Sequence, residues 1–230
     1  MDANERIQKG LTRQMMKQRN IIFDFDGVIA DTEYGRYKLL AKILKEFGIK
    51  FDKDFSVKDI AGTPTDIFLY KNYKNLSQKE RNYIVEKRRK IFLDNLPEYC
   101  RVYPGAPETI KYLNKQGYEV SLATTNELEV AEKLIQFVGV DQEFQHKLYR
   151  SQINNPKNKS KDYSLLLRLL KYKPSDCIVI EDSIVGVSSA KKNHMYCIAF
   201  NRYSENKITE LADIVVNDYD ELIKLFEDKR

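Results

Sequence analysis

Short apolar runs alternate with helical stretches along most of this chain, and that alternation restricts the possible folds more than any other feature. The runs have the length of buried strands; they are Ile21–Phe25, Glu119–Ala123, Phe144–Leu148, Cys177–Ile180, Tyr196–Phe200 and Asp213–Val216. The helical patterns cover Glu108–Gln116, Glu127–Val138, Tyr163–Lys171, Ser183–Asn193 and Tyr219–Asp228. Strands that alternate with helices predict an α/β fold, a Rossmann-like parallel sheet with helices on both faces.

A helical block interrupts this alternation after the first strand. Apolar residues repeat there at helical spacing, and Ser77 with Glu80 has the form of a capping box that opens a further helix. We expect a small all-helical cap domain inserted over the edge of the sheet. The expected boundaries are 33–100 for the cap, 19–32 with 101–230 for the α/β core, and 1–18 for a flexible basic leader.

The composition, 42% hydrophobic and 32% charged, is that of a soluble globular protein. No apolar run approaches the roughly 20 residues that span a bilayer, and the charged first residues lack a secretory signal, so we expect a cytoplasmic protein without membrane partners. The three cysteines lack metal-like spacing and are expected to be buried thiols. The basic run Lys87–Lys90 has no interleaved aromatic residues, which favours a solvated helix face over a nucleic-acid site.

The first predicted strand ends in the acidic segment Asp24-Phe-Asp-Gly27. Carboxylates two residues apart can point to the same side of an extended chain, and burying both is costly unless a cation or a proton compensates. The carboxyl end of a parallel strand is also where such sheets bind ligands. Asp24 and Asp26 are therefore candidate functional residues, although an Asp-Xaa-Asp pair alone is equally typical of a cap or a surface turn.

Polar segments follow two other predicted strands. Thr124-Thr-Asn126 offers hydroxyls and backbone amides that can hold a phosphate, or can simply cap a helix. Glu181 and Asp182 follow another strand, and because hard divalent cations take oxygen ligands, Asp182 beside Asp24 would form a magnesium site. The lysine-rich segment 157–161 lies between them; a lysine there could neutralise a transferring phosphoryl group, or the segment is solvated surface.

Together these segments resemble the four motifs of the haloacid dehalogenase-like hydrolase superfamily, in order and at plausible spacing. Asp24–Glu33 resembles the first motif, Tyr103–Pro107 the segment that returns the chain from cap to core, and Glu181–Ala190 the fourth motif with its helix. The resemblance covers roughly residues 19 to 226. The helical insertion resembles the cap of the subgroup that contains phosphoglycolate phosphatase and beta-phosphoglucomutase.

The resemblance implies a Mg²⁺-dependent phosphatase, a phosphoric monoester hydrolase acting on a small phosphorylated metabolite. Asp24 would become an aspartyl phosphate, and Asp26 would protonate the leaving oxygen and then activate water. The phosphoryl oxygens would be bound by Thr124, Thr125 and Asn126. The metal would be held by Asp24, the backbone carbonyl of Asp26 and Asp182, with Glu181 as a ligand or an outer partner.

The phosphate-binding lysine of the resemblance is Lys157 when the segments are aligned on Tyr163 and Pro174 without a gap. That alignment places the family's acidic residue at Lys161. If the loop is shorter, Lys159 takes the position instead. Lys157 is the favoured assignment.

Two alternative functions remain open at this stage. A sugar-phosphate mutase would share the core, but Thr65 stands where beta-phosphoglucomutase has an arginine three residues after the cap glycine, here Gly62. Arg36 stands where that mutase has a histidine. A catalytically silent binding protein is disfavoured because the nucleophile, the acid and the metal carboxylates are all present. The expected oligomeric state is a monomer or weak dimer.

Overall fold

The computed structural model describes residues 18–51, 55–60, 63–153, 161–202 and 206–227. The predicted leader, apart from Gln18, lies outside these ranges, and so do Lys157, Lys159 and Gly62. Among the described residues, no helix combines the length and the apolar character that crossing a membrane requires.

The strands are short and mostly coincide with the predicted apolar runs. In chain order they are β1 (Asn20–Phe23), β2 (Ala30–Asp31), β3 (Arg101–Val102), β4 (Glu119–Ala123), β5 (His146–Leu148), β6 (Cys177–Glu181), β7 (Tyr196–Phe200) and β8 (Ile214–Val216). The first strand stops before Asp24, two residues earlier than predicted, because the chain turns there towards a glycine at positive φ.

Six of these strands form one sheet in the order β5-β4-β1-β6-β7-β8, and every pairing in it is parallel. Strands β1, β6 and β7 are buried along their whole length. Their apolar residues can therefore face helices on either side, as parallel strands require. The predicted fold class, an α/β Rossmann-like sheet, is confirmed.

The helices connect the strands as the alternation predicted. They are α1 (Glu33–Glu46), α2 (Val57–Ile60), α3 (Thr65–Asn72), α4 (Gln78–Asp94), α5 (Leu96–Tyr99), α6 (Ala106–Lys115), α7 (Leu128–Val138), α8 (Arg150–Ile153), α9 (Tyr163–Leu170), α10 (Ile184–Lys192), α11 (Asn206–Leu211) and α12 (Tyr219–Glu227). The start of α10 is capped by Ser183, whose hydroxyl accepts a hydrogen bond from the Gly186 amide at 3.0 Å.

The core beneath one sheet face is formed by side chains from the central strands and from α9, α10 and α11. Ile22 and Val179 pack there with Tyr163, Leu166 and Val187, all with an exposed fraction of 0%. The three cysteine side chains are also buried, as expected. Removing such a fully buried side chain costs about 2–5 kcal/mol, so this cluster holds the central strands in place.

The chain divides into two compact units, and the inserted one spans Ala30–Val102. It has its own apolar core, to which α1, α3 and α4 contribute, and its capping box is confirmed: the Ser77 amide donates to Glu80 Oε2 at 2.8 Å and the Glu80 amide donates to Ser77 Oγ at 3.3 Å. Within the predicted bounds 33–100, every described element is a helix, as expected; β2 and β3 lie just outside those bounds and pair antiparallel at the two ends of the unit. Strands of two residues are too short to leave a periodic signal in a sequence.

Candidate active site

The polar segments predicted to meet do so at the carboxyl edge of the sheet. Phe23 in β1 is in register with Leu122 in β4 and with Ile180 in β6. Asp24 therefore stands level with the ends of both neighbouring strands. Its amide continues the ladder by donating to the Ile180 carbonyl oxygen at 3.0 Å. The register alone thus brings three strand ends together at one point.

A tight turn follows the acidic pair and requires a glycine. Gly27 has φ of 77°, a conformation that side chains with a Cβ rarely adopt. A Cβ at this position would also overlap the carboxylate of Asp182. The missing side chain therefore lets the loop after β1 lie directly against the loop after β6.

Three carboxylates form a compact cluster at this edge. Asp24, Glu181 and Asp182 each offer one oxygen, and these oxygens lie within 4.8 Å of one another. Asp24 is 8% exposed and Glu181 is fully buried. Carboxylates packed this closely in a poorly hydrated place repel one another unless positive charge is supplied.

One positive charge comes from Lys161, a residue that the sequence analysis did not assign to the site. Its ammonium lies 2.6 Å from Asp24 Oδ1 and 2.8 Å from Glu181 Oε1, and its side chain is buried. Burial acts against the charged ammonium, but the two carboxylates outweigh it and raise the pKa of Lys161 above its usual value. Lys161 is therefore a permanent cation between the two acids.

Glu181 has every acceptor position occupied by protein donors. Oε1 accepts from Lys161 and, at 3.0 Å, from the Tyr163 hydroxyl. Oε2 accepts from the amides of Asp182 and Ser183 at 3.2 and 3.3 Å, and from the Ser183 hydroxyl at 3.1 Å. Burial opposes its ionisation, yet Lys161 and these donors lower its pKa. Glu181 is thus a structural anion whose oxygens are already satisfied.

The other two carboxylates are less well compensated. Burial raises the pKa of Asp24 from 3.8 to about 7, with Glu181 and Asp26 adding to the effect and Lys161 opposing it. Burial, Asp24 and Glu181 together raise the pKa of Asp182 well above its usual value. When all three acids of the cluster are ionised, Lys161 leaves an excess of two negative charges. That excess and the all-oxygen donor set fit a hard divalent cation.

The segment after β4 lies beside the second acid. Asn126 Nδ2 donates to Asp26 Oδ2 at 2.6 Å and to Thr124 Oγ1 at 3.1 Å, and the Asn126 amide donates to the same hydroxyl oxygen at 3.1 Å. Thr124 is fully buried and its own amide donates to the Leu148 carbonyl at 2.9 Å. Asn126 therefore connects the hydroxyl of Thr124 to the carboxylate of Asp26.

Arg150, at the start of α8, binds the same segment through two backbone carbonyls. The sequence did not predict this residue as part of the site. Its Nε donates to the Thr125 carbonyl at 2.6 Å, and its amide donates to the Asn126 carbonyl at 3.0 Å. Two carbonyls of the segment are thus bound by one residue. No sequence motif marks this arginine, since its contacts with the segment are to backbone carbonyls.

Of the predicted site residues, the structure brings Asp24, Asp26, Thr124, Asn126, Glu181 and Asp182 to one edge, with Thr125 between its two neighbours. The lysine in the cluster is Lys161, where the ungapped alignment placed an acid. Lys161 lies two residues before Tyr163, and both side chains reach Glu181, but no local pattern distinguishes Lys161 from the other lysines of its segment.

This arrangement of strand ends defines a class of protein. The family model for haloacid dehalogenase-like hydrolases matches residues 21–200, and the chain belongs to that family. The predicted family is confirmed, and with it the predicted class of enzyme, a phosphatase.

Among its relatives is a phosphorylated carbohydrates phosphatase of Thermotoga maritima, 26% identical over 176 residues, which cover 74% of this chain and 79% of the relative. A solved structure described as a predicted phosphoglycolate phosphatase of Haemophilus somnus superposes with a TM-score of 0.77 at 18% identity, over 91% of this chain and 98% of that one. A beta-phosphoglucomutase of Clostridium difficile gives 0.73 at 21% identity, over 92% and 96%. At these identities the two structures establish the fold alone.

Proposed function

We propose that this protein is a Mg²⁺-dependent phosphatase that hydrolyses a small phosphate monoester through an aspartyl phosphate on Asp24. The observation that carries the proposal is the cluster at the edge of the sheet, where Asp24 contacts Lys161 at 2.6 Å and lies among the carboxylates of Glu181 and Asp182. A carboxylate at a strand end, with a fixed cation beside it, is placed to attack an anionic phosphorus centre.

In the first half-reaction, a carboxylate oxygen of Asp24 forms a bond to phosphorus while the ester P–O bond breaks. Asp26 gives its proton to the departing alkoxide, so the alcohol leaves neutral. Asn126 holds the carboxyl group of Asp26 through the 2.6 Å hydrogen bond to Oδ2. This contact keeps the second acid in one orientation beside the nucleophile.

In the second half-reaction, water attacks the phosphorus of the aspartyl phosphate and loses a proton to Asp26. The P–O bond to Asp24 breaks, which regenerates the carboxylate and releases inorganic phosphate. Asp26 is again protonated and ready for the next substrate. The same carboxyl group thus serves as acid and then as base, as microscopic reversibility allows.

Lys161 and the segment 124–126 would bind the phosphoryl oxygens. Lys161 is already held between Asp24 and Glu181, so its ammonium needs no reorganisation when charge develops on the transferring group. Glu181 is then best assigned outside the metal's immediate ligands, because both of its oxygens are occupied by protein donors. Asp24, Asp182 and the Asp26 carbonyl are the residues that would hold Mg²⁺.

When bound, the metal would neutralise part of the negative charge on nucleophile and substrate. Relatives act on several esters, including phosphorylated carbohydrates and, in a protein of Aquifex aeolicus, phosphoglycolate. Their range supports a small phosphorylated metabolite as the substrate class here.

Hydrolysis of p-nitrophenyl phosphate, with Mg²⁺ and with EDTA, tests the proposal. We expect activity only with the metal and none in Asp24→Asn, while the exposed control Asp220→Asn keeps parent activity. Acid-quenched enzyme should carry a phosphoryl group on the peptide that contains Asp24, detected by mass spectrometry. A folded parent protein without turnover on any ester in any divalent metal would exclude the enzyme.

A second set of three variants decides among the three candidate lysines. Lys161→Met should lose nearly all turnover with circular dichroism unchanged, while Lys157→Met and Lys159→Met should keep it. Charge stabilisation by one such donor typically contributes about 10²–10³-fold in kcat. If Lys157→Met were inactive and Lys161→Met active, the lysine assigned from the sequence would replace the one assigned from the structure.

A further inference from the structure

The loop that contains Asp24 and Asp26 is held in place by hydrogen bonds to three successive backbone carbonyls. The carbonyls of the three consecutive residues after Asp26 each accept a hydrogen bond from a different distant segment. Arg202 Nε donates to Gly27 O at 2.9 Å, the Tyr219 hydroxyl donates to Val28 O at 3.0 Å, and the Tyr103 amide donates to Ile29 O at 3.0 Å. The backbone path beyond the acids is therefore determined by three separate parts of the core unit.

Arg202 and Tyr103 also contact each other through their side chains, and Phe200 connects Arg202 to Tyr219. The Arg202 guanidinium carbon lies 3.8 Å from the centre of the Tyr103 ring and 4.1 Å from that of Phe200. The Phe200 ring in turn lies 5.0 Å from the Tyr219 ring. A planar cation stacked on aromatic rings is attracted by their π-electrons, and the stacking restricts the orientation of the guanidinium plane.

Arg202 has the central position in this group. It follows the last residue of β7 by two positions, so it stands at the same carboxyl edge as the acids. Besides Gly27 it binds the Asn217 carbonyl through Nη1 at 3.2 Å, and its Nη2 is buried with no hydrogen-bond partner among the described residues. Leaving a guanidinium nitrogen without a partner is unfavourable, so stacking and the Gly27 contact must hold this orientation.

The Gly27 contact matters because Gly27 lies directly against Asp182. No Cβ fits between them, so a shift of the Gly27 backbone would move the carboxylate of Asp182 as well as the adjoining Asp26. A hydrogen bond from a charged donor to this carbonyl is shorter and stronger than one from a neutral donor.

We propose that Arg202 is a positioning residue for catalysis: by stacking on Tyr103 and Phe200 and binding the Gly27 carbonyl, it holds Asp26 and Asp182 in their reactive places. The inference rests on the proposed phosphatase function. It assigns Arg202 no contact with the substrate. Its effect passes through the backbone of the loop.

The test compares Arg202→Met and Arg202→Lys with the exposed control Arg168→Met. We expect kcat of Arg202→Met on an alkyl phosphate to fall about 10- to 100-fold, since a displacement of about 1 Å in a catalytic group has effects of that size. The fall should be smaller on p-nitrophenyl phosphate, whose good leaving group needs less help from Asp26, and KM should stay near the parent value. Arg202→Lys should share the defect, because an ammonium can neither stack as a plane nor donate from Nε.

A merely structural role would reduce the active fraction and so lower kcat equally for both esters. Equal losses on the two substrates, or full activity in Arg202→Lys, would overturn the inference. Hydrogen exchange of the peptide covering residues 24–31 gives a readout that needs no turnover. Exchange there should rise in Arg202→Met and not in Arg168→Met; unchanged exchange would overturn the positioning role even if the parent protein proved inactive.

Discussion

Magnesium binding to this site should compete with protons in the neutral pH range, and the structure sets the size of the effect. The pKa of Asp24 in the metal-free protein is raised to about 7, chiefly by burial. A metal ligand must be deprotonated to bind. Asp24 is therefore mostly protonated at pH 6 and mostly ionised at pH 8, so the cation must displace a proton at the lower pH.

The expected magnitude follows from this pKa. The ionised fraction of Asp24 rises about tenfold from pH 6 to pH 8, which is about 1.4 kcal/mol of binding free energy. The pKa of Asp182 is also raised, so its proton adds to the effect. We expect the apparent Kd for Mg²⁺ to be at least about tenfold weaker at pH 6 than at pH 8.

Isothermal titration calorimetry at the two pH values measures both the affinity and the protons released. Repeating the pH 6 titration in buffers with different ionisation enthalpies should reveal release of about one proton or more per Mg²⁺. The control Asp24→Asn lacks the titrating group and should show a flatter pH dependence of whatever binding remains. An affinity equal within twofold at both pH values, with no proton release, would refute the reasoning.

Three further outcomes concern stability. In EDTA at pH 8, the free energy of unfolding of Asp24→Asn, measured in urea, should exceed that of the parent by on the order of 2–4 kcal/mol. The reason is that a raised pKa of Asp24 in the folded state makes the parent lose stability as the pH rises from about 4 to 7. Equal stability of the two proteins would contradict the buried-charge argument. Gly186→Ala should lose about 1–3 kcal/mol in the same assay, since its Cβ would overlap the Glu181 carboxylate; parent-like stability would show that the carboxylate can move freely. Ser77→Ala should lose about 1 kcal/mol by breaking the capping box of α4, and Ser77→Thr should restore most of it.

Much of the fold could be predicted because its sheet is parallel and buried. Strands such as β6 and β7 are continuous apolar runs, and each is followed by a helix, the first of which is capped by Ser183. The two-residue strands of the inserted unit could not be predicted. They are strands because their backbones pair with each other, and two residues are too few to show a periodic pattern of apolar side chains. The acids at the strand ends could be assigned because their segments resemble the motifs of a known family in the expected order, whereas an Asp-Xaa-Asp pair alone is equally typical of a cap or a surface turn.

Lys161, Arg150 and Arg202 left no such signal. The lysine-rich loop offers several candidates, of which the sequence favours Lys157, and only the three-dimensional path of the chain selects Lys161, whose ammonium reaches Asp24 and Glu181. Arg150 and Arg202 bind backbone carbonyls, so the side chain of the accepting residue takes no part in the contact. Contacts of this kind depend on where two distant loops end, and a single sequence does not contain that information in any local pattern.

The central position of β1 has a consequence for the synthesis of the protein. Asn20 pairs with Glu119 on one side and with Cys177 on the other, so the strand that precedes Asp24 is translated first and receives its neighbours late. Until β6 leaves the ribosome, an apolar strand with open edges is exposed, the kind of intermediate that recruits chaperones or aggregates. Chains that end prematurely before Cys177 would contain Asp24 but neither the opposing acids nor the sheet that buries them. Such fragments would be substrates for proteolysis rather than enzymes of reduced activity.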